Sequence, residues 1–202
     1  MFRLTFKVPK TVAIAVSGGV DSMAAVDFLR KSRDITVLHY NHGTGAYADK
    51  AENLVRKYCS ENKIKCAIGY NEEDLPKGVS AEAWWRDKRY SWFEEVVDIP
   101  IIMAHHLDDV AETWLFTSLH GRPQLIPSQR GKYWRPFLTT RKKVFEEWCQ
   151  KRGVPHVEDP SNKDNVFMRN YIRNVMMPNA LQVNPGFHKV LKKKLLSNES
   201  FS

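Results

Sequence analysis

The chain switches repeatedly between two periods of apolar and polar positions. "TVAIAV" (11–16) is a short β-branched apolar run and predicts a buried strand, followed by a helix from about Ser22 to Arg30. "ITVLHY" (35–40) repeats the strand pattern, and Ala51, Leu54, Val55 and Tyr58 fall at helical spacing in a predicted helix over 49–62. "KCAIGY" (65–70) predicts a third strand. Residues 80–97 predict a helix opened by Ser80, with Ala81, Trp85, Trp92 and Val96 along one side. A fourth strand over 99–104 leads into a helix over 108–119. Such alternation predicts an α/β fold with a doubly wound, mostly parallel sheet covered on both faces. Ligands of these sheets bind beyond the carboxyl ends of the strands.

The alternation stops near Gly121. "GRPQLIPSQRGKYWRPF" holds three prolines and reads as a loop or short hairpin. A helix from about Thr140 to Lys151 then carries Val144, Phe145 and Trp148, and the remainder begins as a loop and ends as a basic helical tail. The expected division is a core over 1–121 and a loop or hairpin with a short helical extension, packed on that core, over 122–202.

Chemistry enters at "AVSGGVDSMAA" (15–25), where the first strand gives way to the first helix. Helix N–H groups and the positive dipole end point into that junction. Gly18 and Gly19 allow close approach of an anion, and Ser17 and Ser22 add hydroxyls. The spacing matches neither the lysine-bearing P-loop nor the dinucleotide fingerprint. Asp21 stands where the lysine would be, and a carboxylate beside polyphosphate makes sense if it holds Mg²⁺. An ordinary glycine turn is the bland alternative.

The second cluster is "MAHHLDDVAETWL" (103–115). His105 and His106 end a strand on the same sheet edge, and Asp108, Asp109 and Glu112 crowd the next helix's first turn. Helix capping is the plain reading, a metal-phosphohydrolase cluster is another, and a nucleotide and Mg²⁺ site suits the neighbouring loop better.

Composition bounds the rest. A chain of 202 residues with 43% hydrophobic content supports one domain with a real core, perhaps with a small appendage. A net charge of +8 suits an acidic partner, nucleic acid above all, although a merely basic surface would look the same. No signal peptide or membrane span is legible, so no membrane partner is expected. The three cysteines, Cys59, Cys66 and Cys149, lack C-x-x-C spacing and fit reduced thiols in a cytoplasmic protein.

On these residues a family resemblance can be stated. "SGGVDS" resembles the signature of the PP-loop (N-type) ATP pyrophosphatases, which have an adenine nucleotide α-hydrolase-like architecture. These enzymes split ATP between the α and β phosphates, adenylate a carbonyl oxygen and release pyrophosphate. Within that family, "AHHLDDVAET" resembles the tRNA(Ile)-lysidine synthetases and, less closely, the tRNA 2-thiocytidine enzymes. "EAWWRDKRY" places Glu82, Arg86, Arg89 and Tyr90 where lysidine synthetases carry the same residue types. "EDPSNKDNVFMRNYIR" is similar to another of their segments at Asp159, Pro160, Ser161, Asn162, Asp164, Phe167, Arg169, Asn170 and Arg173. "NPGF" (184–187) falls where the family often has N-P. Sulfur-transferring relatives need paired or persulfide-carrying cysteines, and the sequence shows no such pair. The resemblance runs over roughly 10–187.

The resemblance implies an ATP-dependent ligase using ATP, Mg²⁺, free L-lysine and the wobble cytidine of an isoleucine tRNA. The nucleotide would meet Ser17, Gly18, Gly19, Val20, Asp21, Ser22, His42 and His105, with Asp21 as the metal ligand. Catalysis would fall to Asp21, His105, Asp109 and Glu112. The substrate RNA would meet Glu82, Arg86, Arg89, Asp159, Asn162, Arg169, Asn170, Arg173, Lys192, Lys193 and Lys194, and a homodimer would offer two basic stripes. There are two departures. Thr44 and Gly45 stand where the family pattern "HGLR" expects Leu and Arg, and the sequence stops where most members continue into a C-terminal tRNA-binding domain. Two alternatives therefore stay open: a PP-loop enzyme acting on another base or with another nucleophile, and an RNA- or nucleotide-binding module with decayed catalysis.

Overall fold

The computed structural model describes residues 1–160, 164–166 and 168–199. Strand β1 (Thr11–Ala15) leads into α1 (Val20–Leu29), followed by β2 (Asp34–Asn41), α2 (Ala46–Glu61), β3 (Lys65–Tyr70), α3 (Ala81–Val96), β4 (Ile101–Ile102) and α4 (Leu107–Leu119). Then come β5 (Gln129–Arg130), β6 (Tyr133–Trp134), α5 (Lys142–Arg152), α6 (Met168–Tyr171), a π-helical turn (Ile172–Met176), α7 (Met177–Val183) and α8 (Phe187–Glu199).

The strands form one sheet in the order β3-β2-β1-β4-β6-β5, parallel throughout except for the β5–β6 hairpin. Because strand side chains alternate between faces, β1 serves two cores at once. Val12 and Ile14 join the cluster with Met23, Val26, Leu29, Val55, Phe137 and Phe145, whereas Ala13 joins Leu38, Phe93, Ile101 and Met103 on the opposite face. This is the doubly wound, mostly parallel sheet expected. After β1 the chain builds outward through β2 and β3, then returns to the other side of β1 with β4. The reversal between β1 and β4 leaves a crevice at their carboxyl ends.

Residues beyond 121 contribute to this sheet: β6 lies parallel to β4, with Ile101↔Tyr133 and Ile102↔Trp134 in register. Phe137, Phe145, Cys149 and Val154 join the main apolar cluster. The fourth strand is two residues long instead of the expected six, and its ladder to the hairpin runs from Ile101 N–H on the Lys132 carbonyl (2.7 Å) to Met103 N–H on the Trp134 carbonyl (2.8 Å).

Helix α3 faces the sheet differently from expectation. Phe93 is its one buried residue, Tyr90 and Trp92 pack beside it, and Val96 is exposed. Aromatic residues occur all round this helix, so periodicity alone could not phase it. Ser80 precedes it without a side-chain cap bond. The Trp92 ring lies so close to Gly69 that a Cβ there would sit 2.5 Å from it.

A polar node ties α1 to α2 and α5. Buried Asp27 accepts bonds from Arg30 Nη2 (2.7 Å), Tyr58 Oη (2.9 Å), Trp148 Nε1 (2.9 Å) and Arg152 Nε (2.9 Å). Helices α7 and α8 dock on α4 through Met177, Leu191 and Leu195 against Leu107, Val110 and Ala111. No described helix is long and apolar enough to cross a membrane.

Candidate functional site

The crevice between β1 and β4 opens into a cleft of about 1100 Å³. Ser17, Gly19, Val20, Asp21 and Ser22 form its floor. Inside the loop, Ser22 Oγ donates to the Gly19 carbonyl (3.0 Å) and accepts from the Ser17 N–H (3.2 Å), while Ser17 Oγ accepts from the Gly19 N–H (3.3 Å). These bonds hold the backbone at the mouth of α1, whose first-turn N–H groups have no partner within the helix. Gly18 departs from expectation. Its φ of +85° is left-handed, and a Cβ there would lie 3.2 Å from Ala51 Cβ and 3.3 Å from Val157 Cγ2, two residues of the cleft wall, although Gly18 itself does not line the cleft. It permits the turn and the packing behind the loop, while Gly19 lines the cleft.

Asp21 sits in the first turn of α1, with Oδ1 buried and lacking a hydrogen-bond partner. Its charged neighbour is His106, whose Nε2 is 3.5 Å away. The His106 ring caps α4: Asp109 N–H donates to His106 Nδ1 (3.3 Å) and His106 N–H donates to Asp109 Oδ2 (2.9 Å). Burial opposes a charge on His106, but Asp109, Asp21 and Asp108 outweigh it and hold the imidazole above its ordinary pKa. His106 thus links the loop to the acidic cluster. The site assignment from sequence passed it over in favour of His105, although the doubled histidine before two aspartates was a usable signal.

His105 lines the cleft with Nδ1 buried and unpartnered. Burial lowers its pKa to about 4, so the ring is neutral at neutral pH. His42 lies across the cleft, also lowered to about 4 by burial and by Arg89, whose Nη1 is 3.5 Å from His42 Nε2.

Two of the carboxylates at the start of α4 are buried: Asp109 is only 7% and Glu112 only 4% exposed. Both are closed by the arginines expected to hold substrate. Arg173 Nε and Nη2 donate to Glu112 Oε1 (2.7 Å) and Oε2 (3.0 Å). Arg169 Nη2 donates to Asp109 Oδ1 (2.8 Å), and its Nε donates to Glu112 Oε2 (3.2 Å). Burial would raise Asp109, but His106 and Arg169 outweigh it and keep the carboxyl below its usual range. Asp108, one residue earlier, turns out of the cleft to Arg141, the Lys142 N–H and His188.

Of the residues expected to meet RNA, Arg89, Asp159, Arg169, Asn170 and Arg173 line the cleft. Asn170 is buried and its Nδ2 donates to the Asp164 carbonyl at 2.8 Å. Glu82 and Arg86 are exposed on α3 and do not line the cleft. Lys192, Lys193 and Lys194 lie on α8, also outside it, with Lys194 Nζ over the Trp114 ring at 5.3 Å. Arg169 and Arg173 thus stand in the cleft wall, whereas Lys192, Lys193 and Lys194 do not. Ser161, Asn162 and Phe167 lie outside the described residues.

No cysteine lines the cleft. Cys59 and Cys66 nevertheless interact, a contact the linear spacing did not reveal: the Cys66 thiol pushes Cys59 up, and burial adds to that. Cys66 is at the amino end of β3, opposite the sheet edge that carries the cleft.

A family model described as a PP-loop domain matches residues 3–180. Among curated proteins the chain is similar to the tRNA(Ile)-lysidine synthase of Staphylococcus aureus (31% identical, covering 83% of this chain and 43% of that protein). It is also similar to those of Francisella philomiragia (32%, 92% and 49%) and Bacillus subtilis (31%, 91% and 43%). The chain spans slightly less than half the length of these relatives. Among solved structures it shares its fold with the U34-tRNA thiolase NcsA of Methanococcus maripaludis (TM-score 0.73, 17% identity, covering 95% of this chain and 74% of that one). The family match begins ahead of β1 and ends past Arg169 on α6 and Arg173 on the π-helical turn, taking in every wall of the cleft, so the chain belongs to the PP-loop family.

Proposed function

We propose that the chain is an ATP-dependent tRNA-modifying ligase of the tRNA(Ile)-lysidine synthase type. The observation that carries this reading is the joining, in one cleft, of the Ser17–Ser22 loop and the His105–Glu112 cluster, within a segment 31–32% identical to three such enzymes. In the reaction, O2 of the wobble cytosine attacks the α phosphorus of ATP, the bond to the β-phosphate oxygen breaks, and pyrophosphate leaves. The lysine amine then attacks carbon 2 and AMP departs with the oxygen.

The loop N–H groups and serine hydroxyls receive phosphate oxygens, and the α1 dipole favours their charge. Asp21 would hold Mg²⁺, since its carboxylate lines the cleft beside the loop and Oδ1 makes no hydrogen bond, with His106 Nε2 no nearer than 3.5 Å. When bound, Mg²⁺ supplies charge neutralisation on the leaving pyrophosphate.

Proton handling redistributes among the expected residues. Glu112 has both oxygens occupied by guanidinium N–H groups, and Asp109 is held ionised, so both are poor proton acceptors. Their part is to position Arg169 and Arg173 at the cleft wall. His105, neutral and with a free Nδ1, is the group left to orient the base or accept a hydrogen bond from the incoming amine.

Incubation with ATP, lysine and tRNA, followed by mass spectrometry of the nucleosides, tests the reading: lysidine is the expected product. Pyrophosphate release with a different modified nucleoside would favour the second reading, a PP-loop enzyme with another base or nucleophile. That reading is motivated by Thr44, which lines the cleft where the family pattern expects leucine, and by Gly45, where it expects arginine. No pyrophosphate release under any condition would leave a binding module.

A further inference from the structure

A second hollow, of about 310 Å³, lies against the cleft but is separate from it. The first turn of α4 is the shared wall: Leu107 faces the hollow, while Asp109 faces the cleft. The start of α5 divides in the same way, with Arg141 on the hollow and Lys142 on the cleft.

Arg3, Arg141, Lys189 and Lys192 line this hollow, and no carboxylate lines it among the described residues. Asp108, behind it, is already engaged by Arg141, the Lys142 N–H and His188. A surplus of cations therefore faces a small concave surface. His188, 4% exposed, is part of the lining, and its Nδ1 is buried with no hydrogen-bond partner. A buried ring nitrogen without a partner is costly unless something supplies one. Main-chain bonds hold the rim: Arg3 N–H donates to Thr140 Oγ1 (3.0 Å), and Thr140 Oγ1 donates to the Arg3 carbonyl (2.8 Å).

We propose that this hollow seats a backbone phosphate of the RNA whose target base enters the cleft. The inference rests on the RNA-modifying reading above and adds a site to it. Arg3 and Lys189 supply exposed charges that make no ion pair among the described residues, His188 supplies the buried nitrogen, and Arg141 stays on Asp108 at the wall. Guanidinium and ammonium groups around a recess fit a phosphodiester, which carries charge but no sequence information, so the site would fix the register of the RNA. Lys192 joins this site through its position on α8. Lys193 and Lys194 do not line it.

The test is tRNA binding by the full chain across a salt series, with Arg3→Glu/Lys189→Glu compared with a charge-matched Lys50→Glu/Lys151→Glu variant outside both hollows. Neither Arg3 nor Lys189 makes an ion pair among the described residues, and ATP protection against heating checks that each variant is folded. The expected result is at least tenfold weaker tRNA binding for the first variant, and a log–log salt slope shallower by roughly 0.7–0.9, as one lost phosphate contact requires. The charge-matched variant should lose clearly less. Equal losses in both variants, or none in the first, would overturn the site while leaving the RNA reading standing. If inorganic phosphate protects the wild type but not the first variant, and tRNA affinity is unchanged, the hollow is a small-anion site and the proposal fails. Absence of tRNA binding by the wild type would overturn both the site and the reading beneath it. Arg3→Gln/Lys189→Gln repeats the comparison if charge reversal prevents folding.

Discussion

Arg173 grips Glu112 at two points, Nε on Oε1 at 2.7 Å and Nη2 on Oε2 at 3.0 Å, across 61 residues of chain. Glu112 is buried and is held by Arg169 as well, and both arginines also lie within ion-pair reach of Asp109. Glu112→Ala should therefore destabilise the fold by roughly 1–3 kcal/mol, the scale of lost charged hydrogen bonds, and also lower pyrophosphate release. A double-mutant cycle with Arg173→Ala, read by urea unfolding, should show a coupling on the order of 1–3 kcal/mol. Additive effects would mean that the pair is not a unit.

Asp21→Asn keeps the size and position of the side chain in the first turn of α1 but removes its charge. Pyrophosphate release should fall by at least roughly 100-fold, the scale of losing an electrostatic contact to the reacting phosphates. Thermal melting without nucleotide should move little, since Asp21 makes no hydrogen bond that holds the fold. Near wild-type release would remove Asp21 from the metal role.

The two loop glycines should separate stability from binding. Gly18→Ala forces a Cβ onto a φ of +85° and against Ala51 and Val157, so it should cost roughly 1–3 kcal/mol of stability. At Gly19 a Cβ meets only Ser17 Oγ, at 3.4 Å. Gly19→Ala should therefore leave melting nearly unchanged and weaken ATP protection against heating. Equal stability losses would refute this division of labour.

Asp27 makes stability depend on acid. Burial works to raise its pKa, but bonds from Tyr58, Arg30 and Trp148 outweigh it and bring it from 3.8 to about 2. A depressed folded-state value means that the contribution is complete above 3.8 and is lost as pH falls toward 2. The loss should amount to about 1–2 kcal/mol after solvent screening. Urea midpoints measured from pH 6 to pH 2 should show the wild-type advantage over Asp27→Asn shrinking in that window.

The sequence by itself determined the features that arise from near neighbours. Short continuous apolar runs specify β1 and β2, because both faces of these central strands are covered, as Val12, Ala13 and Ile14 in β1 show. The glycine–serine junction at 17–22 and the acidic turn at 108–112 were legible for the same reason: each is one element end with its chemistry contained in a few residues. Only the tertiary structure decided which side each of those residues serves. Asp108 and Asp109 are adjacent in sequence, yet Asp109 lines the cleft while Asp108 turns out of it to Arg141 and His188, because successive positions on a helix point about 100° apart. Tyr133 and Trp134 read as loop or hairpin, and they became the sheet neighbour of β4 only because Ile101 and Ile102 offered a free edge. Arg169 and Arg173 read as RNA ligands on a helix face. Their partners proved to be carboxylates some sixty residues away, and no local pattern encodes a salt bridge closed by the docking of separate helices.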